Sequence, residues 1–378
     1  MIKYSTIKEQ NLTGRYITNT KIEALHDKHL KYIEIIKAGV SVEKKSIYTY
    51  TFGSGEKRIL LWSQMHGNES TTTKAVFDFL NCLHLDDKRI ENLLKACTFC
   101  VIPILNPDGA AYYTRLNANL IDLNRDAQEL TQPESNVLRD VYNSFNPHFC
   151  LNLHGQRTIF SAGYSTNSSV LSFLSPAENE QRAVTRTRKQ AMEVVSCIHK
   201  ALEEELPNQI SRYNDAFNIN CVGDTFQFLQ TPTILFEAGH YPGDYMREKT
   251  RKHVFTALLV AFEAIAFTDD LGANYQPYFK LPENEKLFFD VMIRNVKNEY
   301  KETIDVAIQY EETLIANKIH FIPKLAKTGD LTEYFGHKEI DGNGDVISIN
   351  KSRSFPKILT IINEISINNV NLSKKLLV

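Results

Sequence analysis

The sequence predicts an α/β fold: a mixed, largely parallel central sheet with helices on both faces, followed by a C-terminal α+β appendage. Three observations carry this. Short, continuous apolar runs at 58–63, 98–105, 149–153 and 233–236 alternate with helix-length amphipathic segments, the pattern of strands buried on both faces. Polar and charged residues gather just after those runs, where open α/β sheets bind ligands. Beyond about residue 275 the composition shifts towards Glu and Lys, so we divide the chain into a main domain, 1–275, and an appendage, 276–378, with no evident chemistry.

The elements follow in order. Residues 21–38 carry helix-like apolar spacing through Ile22, Leu25, Leu30, Ile33, Ile35 and Ile36. Residues 46–52 alternate like a strand and stop at Gly53-Ser54-Gly55. The run at 58–63 is the next strand and 71–84 a helix. The β-branched run at 98–105 halts at Asn106-Pro107-Asp108-Gly109, read as a tight turn. A helix over 133–145 has proline in its first turn, and 149–153 is a strand ending at His154. A long helix is expected over 177–206, a buried strand at 233–236 and a closing helix at 246–267. In the appendage, 284–317 reads as one long charged helix, with short strands at 318–323, 331–335 and 346–349. Asp341-Gly342-Asn343-Gly344-Asp345 begins like a calcium loop, but Val346 and Ser352 stand where glycine and glutamate are needed, so a hairpin turn is expected.

With 378 residues, 43% hydrophobic and 23% charged, the chain is a soluble globular protein. A net charge of -2 offers no bulk attraction for nucleic acid or an anionic membrane. No signal peptide or membrane-spanning run is present, and the expected location is cytoplasmic. Nothing in the sequence indicates the oligomeric state. Six cysteines are scattered; Cys97 and Cys100, three apart in a strand, face opposite sides and make a poor metal knuckle, so reduced core thiols are expected.

His66-Gly67-Asn68-Glu69, at the exit of the 58–63 strand, can aim an imidazole and a carboxylate at one metal ion. Catalytic zinc takes three protein ligands and leaves a position for water, and His154 at another strand end is the natural third. Glu237 ends an apolar strand, where a carboxylate needs a partner: a metal-linked water network, or instead a helix cap or salt bridge. In the loop from Tyr113 to Asp126, Arg115 and Arg125 suit recognition of a carboxylate, unless they merely pair with acids in a solvated loop. Asp122 is placed to accept the free ring N–H of a metal-bound histidine.

The order HxxE, NPDG, RxNxxxxDLNR, strand-His, strand-Glu over roughly 59–265 resembles the zinc carboxypeptidase family, its cytosolic and bacterial branches in particular. The resemblance implies one Zn2+ held by His66, Glu69 and His154, with Glu237 as general base and acid. It implies Arg115 as the group that stabilises the oxyanion, Asn124 and Arg125 as the clamp for a terminal carboxylate, and Asp122 as support for His66. It also implies a mobile tyrosine, for which Tyr213 is the candidate. Arg157, just after His154, either reads an acidic substrate group or pairs with a surface acid. His240 is expected to line the pocket or support it, and Cys221, Asp224 and Thr225 lie where they could line it too. The expected activity is removal of a C-terminal residue from a peptide. The alternative is a zinc amidohydrolase of the aspartoacylase or succinylglutamate desuccinylase type, acting on small N-acyl amino acids. The NPDG turn and the charged helix favour the peptidase, because that acylase branch usually carries a C-terminal β domain over its pocket. A binding module that has lost catalysis is disfavoured by the presence of Glu237 and both arginines.

Overall fold

The computed structural model describes residues 2–352, 354 and 356–376. Three short helices, α1 (Tyr4–Ile7), α2 (Asn19–Glu23) and α3 (His26–His29), lead into strands β1 (Glu34–Val40), β2 (Ser46–Gly53) and β3 (Lys57–Ser63). Then come α4 (Thr71–Cys82), α5 (Lys88–Ala96), β4 (Cys97–Ile102), α6 (Pro107–Tyr112), α7 (Pro133–Phe145) and β5 (Phe149–Gly155). Next are β6 (Ser161–Ala162), β7 (Leu171–Leu174), α8 (Arg186–Leu202), β8 (Ile210–Arg212), α9 (Val222–Phe228), β9 (Thr233–Ala238) and α10 (Glu248–Phe267).

Eight strands form one sheet in the order β1-β2-β4-β3-β5-β9-β7-β8. Its centre, β4-β3-β5-β9, is parallel, and antiparallel pairs flank it at β1-β2-β4 and β9-β7. Alternation along β3 explains why its residues are uniformly apolar. Ile59 and Leu61 pack into a core with Val76, Phe79 and Phe262 of α4 and α10, while Leu60 and Trp62 face Leu138 and Phe226 of α7 and α9. Both faces are covered, so no polar position is available between them.

The remaining chain is β-rich: β10 (Asn284–Glu285), β11 (Phe288–Lys297), β12 (Thr303–Ile315), β13 (Lys318–Gly329), β14 (Phe335–Asp341), β15 (Ile347–Ile349), β16 (Ile365–Ile367) and β17 (Val370–Asn371). A sheet β13-β12-β11-β14 and a smaller one, β15-β16-β17, enclose their own core. The long helix expected at 284–317 is therefore replaced by strands. Val291 and Ile293, and across from them Val306 and Ile308, alternate inward with period two, and Asn298 accepts from the backbone N–H groups of Tyr300 and Glu302 to turn the chain between β11 and β12.

Other expectations are corrected as well. Residues 21–38 form α2, α3 and the edge strand β1, because pairing of 34–40 with β2 outweighs the helical spacing. The NPDG segment starts α6: Asn106 accepts from Gly109 N at 2.8 Å as N-cap, and Pro107 occupies the first turn. The helix expected at 177–206 begins only at Arg186, where the Thr185 hydroxyl accepts from Arg188 N. Residues 331–334 are a turn ahead of β14, and 342–345 carry the chain from β14 into a different sheet rather than closing a hairpin. All six cysteines are free, four of them buried. Among the described residues no helix is long and apolar enough to cross a membrane.

Candidate metal centre

Three adjacent parallel strands deliver the site. His66 follows β3, His154 lies near the end of β5, and Glu237 lies near the end of β9. His154 and Glu237 are register partners, so the sheet itself sets them side by side. The turn after β3 is drawn tightly against α6: a Cβ on Gly67 would sit 1.9 Å from the Gly109 carbonyl carbon, and Asn106 Nδ2 donates to Met65 O at 3.2 Å. Only glycine admits that approach.

His66 Nδ1 lies 2.9 Å from Glu69 Oε1 and 3.1 Å from His154 Nδ1, and His154 Nδ1 lies 2.9 Å from Glu69 Oε2. One donor atom from each residue falls within 4.8 Å of the others. Glu69 also accepts from Gly155 N at 3.0 Å, which ties the two strand ends together. Both histidines are 2% exposed, so the imidazoles meet with little water between them.

The other face of His66 fixes its tautomer. Nε2 donates to Asp122 Oδ1 at 3.0 Å, which leaves the Nδ1 lone pair directed at Glu69 and His154. Burial opposes a charge on His66, but Glu69 and Asp122 outweigh it and push the ring up to about 9. Burial and the neighbouring cations instead hold His154 below its ordinary value, despite Glu69. Burial would raise Glu69, yet the two histidines hold it below the usual carboxylate range. Two nitrogens 3.1 Å apart can share one proton at most, and a cation bound by both satisfies them better. Two imidazole nitrogens and a carboxylate are the donor set of a zinc site.

Glu237 stands next to this group. Its Oε2 is buried with no hydrogen-bond partner among the described residues, and burial, with the Glu69 charge, pushes the carboxyl well above its usual range. Such an orphaned oxygen fits a site that is completed by a cation and its water.

Arg115 approaches from the rim, about half exposed. Its Nε and Nη2 donate to Asp122 Oδ2 at 3.2 and 3.0 Å, and its Nη1 lies 3.2 Å from His66 Nδ1 and 3.5 Å from Glu69 Oε1. Asp122 also caps the short turn Leu123–Arg125 through Asn124 N. Asn124 Oδ1 accepts from Val222 N at 3.0 Å, binding that turn to α9. Arg125 is exposed, and its Nη1 donates to Asn124 O.

Tyr213 follows β8 and is packed against Phe160. Its hydroxyl donates to Gln156 Oε1 at 2.8 Å, so this tyrosine is pinned rather than left on a free loop. Arg157 is exposed and makes no hydrogen bond or ion pair among the described residues; the structure brings it to none of the residues above. His240 is buried against His337 and Tyr245, with both ring nitrogens unpartnered among the described residues. Asp224 accepts from Asn218 N, and burial lifts its carboxyl to about 6. Sequence reasoning missed Gln156 and Asn284, whose side chains bond to each other at 3.1 Å beside Tyr213. Their separation of 128 residues, with Asn284 in a stretch read as helix, left no local signal.

A model of the zinc carboxypeptidase family matches residues 18–226. Carboxypeptidase 2 of Trichophyton rubrum and probable carboxypeptidase 2 of Arthroderma benhamiae are each 28% identical over 123 residues, 32% of this chain. That match spans only 22% of the length of these relatives. Carboxypeptidase A from Helicoverpa armigera superposes with a TM-score of 0.54 at 15% identity, covering 67% of this chain and 74% of that one. A metallo-carboxypeptidase from Burkholderia cenocepacia gives 0.51 at 16% identity, covering 65% and 68%. Both show a shared fold.

Proposed function

The chain belongs to the zinc carboxypeptidase family, and we propose that it is a zinc-dependent carboxypeptidase that hydrolyses the C-terminal peptide bond of a peptide. The observation that carries this reading is the convergence of His66, Glu69 and His154 beside Glu237, whose buried Oε2 has no hydrogen-bond partner among the described residues.

His66 Nδ1, His154 Nδ1 and Glu69 would hold one Zn2+. When bound, zinc brings the pKa of a coordinated water towards neutrality and polarises a carbonyl. Glu237 takes the proton of the attacking water and returns it to the leaving amine. To take that proton the carboxyl must be ionised, which the charge of a zinc ion beside it would favour against the burial and Glu69 that raise it. Arg115, oriented by Asp122, donates to the developing oxyanion. Asn124 and Arg125 bind the terminal carboxylate of the substrate, Arg125 through its exposed guanidinium. Tyr213 forms part of the wall beside Glu237, and Arg157 is left to meet substrate groups further out.

The acyl-amino-acid alternative loses ground to the family match over 18–226. It also regains some, because the C-terminal region is β-rich and the expected charged helix no longer argues against it. One experiment separates the two: mass spectrometry of zinc-loaded protein incubated with mixed peptides and N-acyl amino acids. Loss of C-terminal residues is expected; release of free acyl acids alone would overturn the peptidase reading. Glu237→Gln should keep its zinc and lose about a hundred- to ten-thousandfold in turnover, the range for a general base. Undiminished turnover would remove Glu237 from that role.

A further inference from the structure

We infer that Asn284, in the first strand of the C-terminal region, is a positioning residue of this site that, together with Gln156, holds Tyr213. The inference rests on the function proposed above, in which Tyr213 lines the site. Burial first, then the Glu237 and Glu69 charges, push the Tyr213 phenol upward, and a side-chain hydrogen bond with Asn284 itself opposes them.

The hydrogen bonds meet at Gln156, and its amide orientation is fixed. Gln156 Nε2 donates to Ser169 O at 3.1 Å; a carbonyl only accepts, so the Gln156 amide has one orientation and its Oε1 faces Tyr213. Tyr213 therefore donates its hydroxyl proton to Gln156. Asn284 Nδ2 donates to the same Oε1 at 3.1 Å, while Asn284 Oδ1 accepts from Ser172 Oγ at 3.1 Å and from Ser211 Oγ. Turning the Asn284 amide over would set its oxygen against Gln156 Oε1, acceptor against acceptor. Ser172 is itself the register partner of Glu237. The chain of contacts thus runs from the C-terminal region to both sides of the proposed base.

Asn284 is presented rigidly. β10 pairs with β6 through Asn284↔Ala162 and Glu285↔Ser161, and on its other side Arg212 N donates to Pro282 O at 2.9 Å. Gly163 N donates to Glu283 O at 2.9 Å. The segment 282–285 is laced between β6 and β8, directly beside Tyr213. Moving Asn284 would require breaking main-chain bonds on both sides, so its side chain is a fixed support.

The test is a double-mutant cycle on the full chain loaded with zinc, using Asn284→Ala and Tyr213→Phe. Asn284→Ala should lower turnover of a cleaved peptide by about tenfold, the worth of one supporting hydrogen bond, with zinc content unchanged. In the Tyr213→Phe background the same change should cost little, because the residue it supports is already altered. Nitration by tetranitromethane, read as peptide mass at Tyr213, should rise in Asn284→Ala, since the phenol is no longer held. Equal losses in both backgrounds, or unchanged nitration, would overturn the inference. If Asn284→Ala does not fold, Asn284→Asp replaces it, because it keeps an acceptor for Ser172 and Ser211 and sets a carboxylate oxygen, acceptor against acceptor, where the N–H met Gln156 Oε1. Should neither native protein nor variant cleave any peptide, the proposed function fails, and the nitration comparison alone decides the role of Asn284.

Discussion

Replacing Asp122 by asparagine tests how the candidate metal centre is held. The carboxylate serves three partners at once: Oδ1 accepts from His66 Nε2 at 3.0 Å and from Asn124 N at 2.9 Å, and Oδ2 accepts two bonds from Arg115. An amide of the same shape cannot serve them all. With its oxygen towards His66 and Asn124, its NH2 meets the guanidinium, donor against donor; turned over, the NH2 meets the imidazole N–H. The weakening should appear mainly in zinc affinity, because the orienting acceptor of a metal-bound histidine is worth about ten- to a hundredfold, or roughly 1.4–2.7 kcal/mol. The Arg115 pair itself adds little to global stability: Arg115 is 47% exposed and Asp122 21%, and an ion pair so placed contributes about 0–1 kcal/mol. Competition with a chromophoric chelator measures the first quantity and urea unfolding of the metal-free protein the second. An unchanged zinc affinity would refute the reasoning. So would a loss confined to stability.

Further outcomes follow from other parts of the molecule. Arg125→Ala should reduce cleavage of peptides with a free terminal carboxylate and leave any turnover of amidated ones alone; equal losses would exclude Arg125 from carboxylate recognition. Asp78→Ala leaves the buried Arg251 with only its 3.2 Å pair to the part-exposed Glu248, Arg251 and Asp78 both being 0% exposed, and should cost about 3–5 kcal/mol in urea unfolding; a negligible change would mean the Asp78 pair contributes nothing net. Burial, with the charge of Arg247, lowers His337 from 6.5 to about 4. Its folded pKa is depressed, so its contribution is intact above pH 6.5 and is lost as pH falls towards 4, at most about 3 kcal/mol. His240, its ring tilted at 58° against that of His337 with centroids 4.3 Å apart and facing Arg247 and Arg15, shifts the same way. Urea midpoints should fall across that window, and less steeply in His337→Gln; identical slopes would show that His337 is not the group responsible.

How far the sequence is legible depends on the range of the interactions. β3, β5 and β9 could be read because strands buried on both faces must be apolar throughout, and His66, His154 and Glu237 break that rule where the strands end. The segment 284–317 misled because Glu and Lys crowd the strand ends and turns at 285–286 and 297–302 and imitate a charged helix, while the inward Val291, Ile293, Val306 and Ile308 hold the true period. Edge strand β1 misled for a related reason: its partner β2 supplies the hydrogen bonds, and its own residues are mostly exposed. The contacts of Asn284 with Gln156, and of Glu312 with Arg15 and Tyr113, join residues far apart in the chain. No local pattern announces them.

The register of His154 against Glu237 has a consequence for how this molecule tolerates change. Neighbouring strands keep a spacing of about 4.8 Å whatever their side chains, so the gap between ligand and carboxyl is inherited from the backbone ladder. Insertions in the surrounding loops can alter what enters the site without disturbing that gap. A slip of β9 by a single residue would instead turn Glu237 to the opposite face of the sheet and bring Phe236 to the imidazole. On the proposed reading, reactivity and selectivity would be written in separate parts of the chain, one in the sheet and the other in its connections, free to vary independently.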